Sequence, residues 1–244
     1  MAKKRLDVLL VERGLAESRS QAQALVLAGR VPGHEKAGEQ VDDTADLAVD
    51  EGPRFVSRGG DKLAHALEIF GVDVTGEDCL DIGASTGGFT DCLLQAGAAR
   101  LCALDVGYGQ LHPRLREDPR VTVLERVNVR NLDCGDLPFQ PTFLTCDVSF
   151  IGLEKALPPA LACARPGWRA LVLVKPQFEA GPADVGKGGV VRDPAVHEHV
   201  VEHVAAQASS WAAEVVGMAE SPLRGPKGNR EFFLYLHAAP ETPA

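Results

Sequence analysis

Apolar and polar positions follow two regimes along the chain. From residue 5 to 50 the apolar residues recur at helical spacing and then thin out. Leu6, Leu9 and Leu10 mark one side of a helix over 5–12, closed by Gly14. Ala22, Leu25 and Val26 mark one side of a second helix over 19–28, capped by Ser18 and ended by Gly29. Val31, Val41 and 47–49 read as short strand-like pieces between turn residues. Beyond residue 60, compact apolar runs alternate with amphipathic stretches. A helix over 61–70 precedes a strand over 79–82, a helix over 88–96 and strands over 101–105, 121–126 and 142–147. A helix over 153–164, a strand over 170–174, a helix over 194–211 and strands over 214–218 and 231–237 complete the series. Such alternation predicts an α/β fold: a Rossmann-like, mostly parallel sheet with an antiparallel last strand, covered by helices. Ligands of such sheets bind at the carboxyl ends of the strands, where the strand order reverses. The expected organisation is a small α+β module over 1–50, a Gly- and Pro-containing linker over 51–60, the sheet domain over 61–238 and a flexible tail over 239–244.

Composition and charge refine this picture. At 244 residues and 45% hydrophobic, the chain can bury a sizeable core. A net charge of −9 argues against nucleic acid as a partner of the whole surface. The charge is uneven, however. Residues 1–33 hold six Lys/Arg against three Asp/Glu, whereas 34–52 hold one Lys against seven acids. Arg5, Arg13, Arg19 and Arg30 surround the first two helices, so a local basic face coexists with an acidic total. The six cysteines at 79, 92, 102, 134, 146 and 163 form no CxxC pair and no zinc-type spacing. Several of them sit in predicted strands, as small buried apolar residues do, which suggests a reducing compartment, and no metal is expected. Lys3-Lys4-Arg5 before Leu6–Val11 has the outline of a signal peptide, but Asp7 interrupts it and Glu12-Arg13 ends it. With no run of 18 apolar residues either, the expectation is a cytoplasmic, monomeric protein without a membrane partner.

The chemistry concentrates in the run Cys79–Asp91, C-L-D-I-G-A-S-T-G-G-F-T-D, a strand, a glycine turn and a helix start. Helix starts present unpaired N–H groups to a ligand above the turn. The turn Gly83-Ala84-Ser85-Thr86-Gly87-Gly88 lacks the second glycine of the dinucleotide pattern G-x-G-x-x-G. Asp81 before it repels phosphate but suits an amino group, directly or through water. Asp105, about 20 residues on, suits ribose hydroxyls, and Asn128 lies within reach of an adenine edge. These features favour S-adenosylmethionine, a cationic cofactor without phosphate. The expected cofactor residues are Asp81, Gly83, Ala84, Ser85, Gly87, Gly88, Phe89, Asp105, Val106, Asn128 and Asp147. A Walker-like run, Gly181 to Gly188, lacks the Ser/Thr that holds Mg²⁺ and carries Pro182 and Asp184 where phosphates would lie. Residues 177–191 read better as a mobile flap.

The strand ends bear on the methyl acceptor. Asp147-Val148-Ser149-Phe150 has the acid and the aromatic of amino-group methyltransferases but neither of their prolines, which disfavours N-methylation. Cys146 could serve C5 methylation only if it faced the site, and strand alternation turns it away from the Asp147 side. Lys62, Asp147, Lys175 and Glu231 all fall at one edge of the expected sheet. Any one of them would be unremarkable as a solvated strand end. Together they supply two lysines and two acids that would orient them. A ribose hydroxyl is a poor nucleophile that needs its proton removed in the transition state, and a lysine beside a second cation and partly buried can be neutral enough to take it.

The run R-L-D-V-L-L-V-E-R-G-L-A-E-S-R-S-Q-A-Q-A-L-V-L-A-G-R-V resembles an S4 RNA-binding domain, although Pro32-Gly33-His34 replaces its usual V-N-G element. S-R-G-G-D-K-L, D-I-G-A-S-T-G-G-F-T-D, D-V-G-Y-G-Q-L, D-V-S-F-I, L-V-K-P-Q-F-E and G-N-R-E-F-F-L follow in that order. Nearly end to end the chain resembles the TlyA-type (haemolysin-type) ribosomal RNA methyltransferases, which join an S4 domain to an FtsJ-like catalytic domain. The resemblance implies a Lys-Asp-Lys-Glu tetrad, falling on Lys62, Asp147, Lys175 and Glu231, with Lys175 as base. It also implies 2′-O-methylation of cytidine in ribosomal RNA. Arg5, Arg13, Arg19, Arg30, Arg58, Arg224, Lys227 and Arg230 would grip RNA phosphates. Three rival readings are an S4 RNA-binding protein without catalysis, a membrane-lytic haemolysin-like protein and a small-molecule methyltransferase.

Overall fold

The computed structural model describes residues 3–50 and 52–240. Of the expected flexible tail, residues 241–244 therefore lie outside the described residues. Contacts divide the chain into two compact units, Met1–Arg54 and Phe55–Ala244.

In the smaller unit, strand β1 (Lys3–Arg5) leads directly into helix α1 (Leu6–Glu12). Helix α2 (Arg19–Leu27) starts at Ser18, whose side chain accepts the Gln21 N–H. Strand β2 (Gln40–Asp42) pairs antiparallel with β1. Two expectations change here. Arg5 belongs to a strand, not to the first helical turn. Of the expected strand pieces only the one around Val41 forms, since Val31 and Leu47 are buried as loop residues that close the core on Leu6, Leu10 and Val26.

The larger unit begins with Phe55, which is 2% exposed. Helix α3 (Gly59–Ile69) starts two residues earlier than the periodicity predicts. Gly60 is the reason: a Cβ there would stand 2.2 Å from the Phe55 ring, so the chain turns tightly against its own aromatic. Residues 55–60, expected as linker, are thus packed into this unit, and the Val56 N–H bonds the Asp91 carboxylate at 2.9 Å. Strand β3 (Asp78–Ile82), helix α4 (Gly88–Gln95), strand β4 (Arg100–Asp105), the single turn α5 (Pro113–Arg116) and strand β5 (Val121–Glu125) follow. Strand β6 (Phe143–Cys146), helix α6 (Leu153–Ala162), strand β7 (Arg169–Val174) and the turn α7 (Pro176–Glu179) come next. Helix α8 (Pro194–Gln207) and the closing strands β8 (Ala213–Glu220) and β9 (Phe232–Ala238) complete the unit.

The sheet order is β5-β4-β3-β6-β7-β9-β8. The five strands β3 to β7 run parallel, and β9 is antiparallel to both its neighbours. Strand alternation fills two core layers. Leu80, Ile82, Leu104 and Leu144 face one, covered by α6 and α8. Cys79, Leu101, Phe143 and Leu171 face the other, covered by α3 and α4. The order reverses between β3 and β6, so the carboxyl ends of those strands frame the mouth of a cleft.

Cysteine chemistry departs from expectation. Cys134 and Cys163 form a disulfide, 29 residues apart in sequence. A spacing rule cannot see this pair; the loop after β5 reaches the C-terminus of α6 and brings their Cα atoms to 5.0 Å. The other four cysteines are buried, as expected.

Candidate active site

Three adjoining cavities open at the carboxyl ends of the parallel strands. The largest, about 920 Å³, runs along the ends of β3, β4 and β6 past Gly83, Asp105, Val106 and Asn128. A second of about 280 Å³ lies over the glycine turn, between Lys62, Phe89, Asp147 and Lys175. The third, about 450 Å³, is mostly apolar and lies between Phe150, Phe178, Lys227 and Glu231.

Glycine supplies the shape at two positions. Gly83 adopts φ +83°, and a Cβ there would sit 2.6 Å from the Asp147 carbonyl oxygen. Only glycine lets β3 and β6 end this close together. Gly88 opens α4, and a Cβ on it would meet Gly60 N at 2.9 Å, so α3 and α4 start against one another. Gly87 does different work from the one expected. At φ +96° it turns into α4 with its bare face on Leu111 and Leu115, and it does not border the cavities.

Lys62 comes from α3 and Glu231 from the residue preceding β9; Lys62 Nζ donates to Glu231 Oε2 at 2.5 Å. Glu231 is 1% exposed. Lys175 follows β7 and Asp147 follows β6; Lys175 Nζ lies 2.5 Å from Asp147 Oδ1. The same Nζ donates to Ser149 Oγ at 3.1 Å. Four residues spread over 170 positions thus form two lysine–carboxylate pairs around one cleft. Buried like charges could not be gathered this way without such pairing.

Asp105 caps β4. Its carboxylate accepts the Ser85 N–H at 2.7 Å and the Gly107 N–H at 2.6 Å, which ties the glycine turn to the next strand end. It still borders the largest cavity, with Val106 and Asn128 beside it. Asn128 caps the 3₁₀ turn Val129–Asn131 through its side chain.

Asp81 is placed otherwise than expected. It is wholly buried, accepting from Thr90 Oγ1 at 2.7 Å and Thr145 Oγ1 at 2.9 Å. It stands two residues after Cys79, so it faces the α4 layer, and Thr145 is its partner on β6. Burial pushes its carboxyl up to about 6, against the pull of the threonine hydroxyls. Asp81 therefore braces β3 to α4 beneath the turn and does not line the cleft. Cys146 points into the opposite core layer, as alternation predicts, and burial raises its thiol far above the ordinary range.

Several lining residues escaped the sequence reading. Ser57, Thr86, Ser149 and Pro226 sit in turns and bends, and Gln177 in a four-residue helix, all too short to carry a periodic signal. Within the expected flap, 176–179 is helical, and Asn229 holds the far end at Gly189 and Val191. Asn229 Oδ1 accepts the Val191 N–H at 3.0 Å, and its Nδ2 donates to the Gly189 carbonyl at 2.9 Å.

The arginines expected to meet RNA are engaged locally. Arg5 and Arg19 bond the Asp7 carboxylate. Arg13 donates to the Asp43 and Ala45 carbonyls, and Arg30 to the Asp50 carbonyl. Arg230 makes a two-pronged pair with Glu220, and Arg224 reaches the Gly228 carbonyl. Arg58 and Lys227 are exposed at the cavity rims.

Comparison with known proteins places this geometry. Residues 55–238 match the model of the FtsJ-like methyltransferases, and residues 4–31 match that of the S4 domain. The 16S/23S rRNA (cytidine-2′-O)-methyltransferase TlyA of Mycobacterium tuberculosis is 48% identical, with 95% of this chain and 89% of that protein covered. Hemolysin A of Brachyspira hyodysenteriae is 38% identical, covering 95% of this chain and 99% of that one. A solved structure of a hemolysin-named protein from Streptococcus thermophilus superposes with a TM-score of 0.76 at 43% identity, covering 100% of this chain and 90% of that one. Among the described residues no helix is long and apolar enough to cross a membrane. The chain belongs to the FtsJ-like methyltransferases, in the branch that carries an S4 domain ahead of the catalytic domain and includes TlyA.

Proposed function

We propose that this enzyme transfers a methyl group from S-adenosylmethionine to the ribose 2′-hydroxyl of a cytidine in ribosomal RNA, in the cytoplasm. The observation that carries this reading is the pair of lysine–carboxylate contacts, Lys62–Glu231 and Lys175–Asp147, beside the strand-end cleft. A ribose hydroxyl needs a base and precise placement more than it needs a nucleophilic side chain.

The cleft fits the cofactor. Its largest cavity lies within the range of about 300–1,000 Å³ usual for small-molecule sites. Gly83 lets the main chain approach a ligand closely, and Asp105 and Asp147 make the walls unfavourable to phosphate but favourable to a cation. Gly83, Ser85, Asp105, Val106, Asn128 and Asp147 would hold it. When bound, it supplies an electrophilic methyl on a sulfonium centre. Lys175 accepts the proton of the 2′-hydroxyl, and Asp147 holds its amine. Glu231 holds Lys62 on the other side of the cleft, where the cation favours negative charge growing on the acceptor oxygen.

Arg58 and Lys227 at the rims, with Arg224 and Arg230, would take RNA phosphates on the catalytic unit. Arg5, Arg13, Arg19 and Arg30 would do so on the S4 unit. Their local bonds leave guanidinium surface exposed: the side chains of Arg5 and Arg19 are 45% and 57% accessible. The test is to incubate the protein with labelled S-adenosylmethionine and isolated ribosomal subunits and to map the modification. Label in 2′-O-methylcytidine is expected; label on a base, or none in RNA, would overturn the proposal.

A further inference from the structure

Resting on the base role proposed above for Lys175, we infer that Ser149 is a positioning residue of the same reaction. Its hydroxyl acts with Asp147 to hold the Lys175 amine so that the nitrogen lone pair faces the cleft. A lysine able to take a proton is an amine with two N–H bonds and one lone pair, in roughly tetrahedral directions. The terminal C–N bond turns between staggered wells. With no partners the lone pair would point in any of three directions. One acceptor fixes one N–H but lets the other N–H and the lone pair exchange places. A carboxylate close to the amine biases that exchange, because its charge attracts the second N–H and repels the lone pair.

One such hydrogen bond is present, from Lys175 Nζ to Ser149 Oγ, and the Asp147 carboxylate stands beside the amine as its ion-pair partner, with Oδ1 making no hydrogen bond among the described residues. Asp147 Oδ1 lies 2.5 Å from Lys175 Nζ and Ser149 Oγ lies 3.1 Å from it. Lys175 itself borders the 280 and 450 Å³ cavities, so the direction left over opens toward bound substrate. Among the described residues, Ser149 is the one common to all three cavities. It is exposed in the turn after β6, and only its hydroxyl ties it to the base. In the transfer, the proton passes from the ribose hydroxyl to the Nζ lone pair, giving an ammonium. The freed oxygen electron pair forms the bond to the methyl carbon, while the carbon–sulfur pair stays on the departing sulfur.

The experiment uses the full chain with tritiated S-adenosylmethionine and isolated ribosomal subunits, comparing Ser149→Ala, Ser149→Thr and Lys175→Ala. Ser149→Ala should lower kcat about 10-fold, as expected for one lost hydrogen bond that orients a reacting group. The KM for subunits and the calorimetric Kd for S-adenosylmethionine should stay within about twofold, and Ser149→Thr, which keeps the hydroxyl, should recover most of kcat. Unchanged kcat in Ser149→Ala beside an inactive Lys175→Ala would overturn the inference and leave the base role standing. A rise in KM alone would also overturn it, showing that Ser149 contacts substrate instead of orienting the base. Full activity in Lys175→Ala would remove the base role and the inference with it.

Discussion

Each compact unit holds a cluster of opposite charges, and the two are built in opposite ways. In the S4 unit Asp7 sits at the centre with no exposed surface. Its two oxygens accept from Arg5, Arg19 and Gln23, and the Arg5 contacts hold its carboxyl well below the usual carboxylate range despite burial. Asp7 is covered by its own partners rather than by depth, since both arginines are largely solvated. At the cleft of the catalytic unit Asp147 and Glu231 each meet a lysine instead, and the lysines border open cavities. A carboxylate saturated by forked guanidinium and amide donors fixes a fold. A lysine held by one or two oxygens beside a cleft keeps a direction for chemistry.

The largest effect expected from breaking this contrast is at Lys175. Lys175→Ala should reduce kcat by about 10²–10⁴, the usual contribution of a positioned base, while calorimetry still detects cofactor binding. If that variant lost thermal stability and kept its rate, the Lys175 cluster would be structural, like the one around Asp7.

Asp105 tests the boundary between the two kinds of cluster, since it both ties the glycine turn and borders the largest of the three cavities. Asp105→Ala should weaken S-adenosylmethionine binding about 10-fold or more, read by calorimetry, with the lost backbone contacts adding to any lost ligand contact. An unchanged Kd would confine Asp105 to bracing the turn.

Asp7 should show the smallest effect, confined to stability. Asp7→Ala is expected to cost the S4 unit about 1–2 kcal/mol, because the exposed arginines are screened by water. Hydrogen exchange at the amides of α1 and α2 would report it locally. The lowered carboxyl also fixes the sign of a pH effect. Its stabilisation is complete above the ordinary unfolded value of about 4 and is lost as pH falls below that. The variant should therefore lack this part of the acid loss; if both proteins lose α1 and α2 protection in parallel on acidification, Asp7 is not the group responsible.

Much of the architecture was legible in the sequence because the parallel strands are buried on both faces and leave dense apolar runs. The runs ending at Ile82, Asp105 and Val174 gave their strands to within a residue or two. The positions of Asp147 and Lys175 were legible for the same reason, as polar residues placed where apolar runs stop. The early start of α3 was hidden because it depends on Gly60 packing against Phe55, a contact with no periodic trace. The small unit was less legible: β1 and β2 are three residues each, too short to alternate. Asp81 misled because its type and spacing suit a ligand, whereas its face of the strand is set by what covers it.

By itself, then, the sequence determined the order of elements, the glycine turn and the chemical types gathered at the strand ends. These are local properties of spacing and side-chain chemistry. Only the tertiary structure decided which lysine meets which carboxylate, that Asp81 lies under the cleft and not in it, and that Cys134 meets Cys163. It alone decided that Ser149 touches Lys175. Those pairings join residues tens to hundreds of positions apart, and they exist only once the sheet has fixed its order and the helices have closed over it.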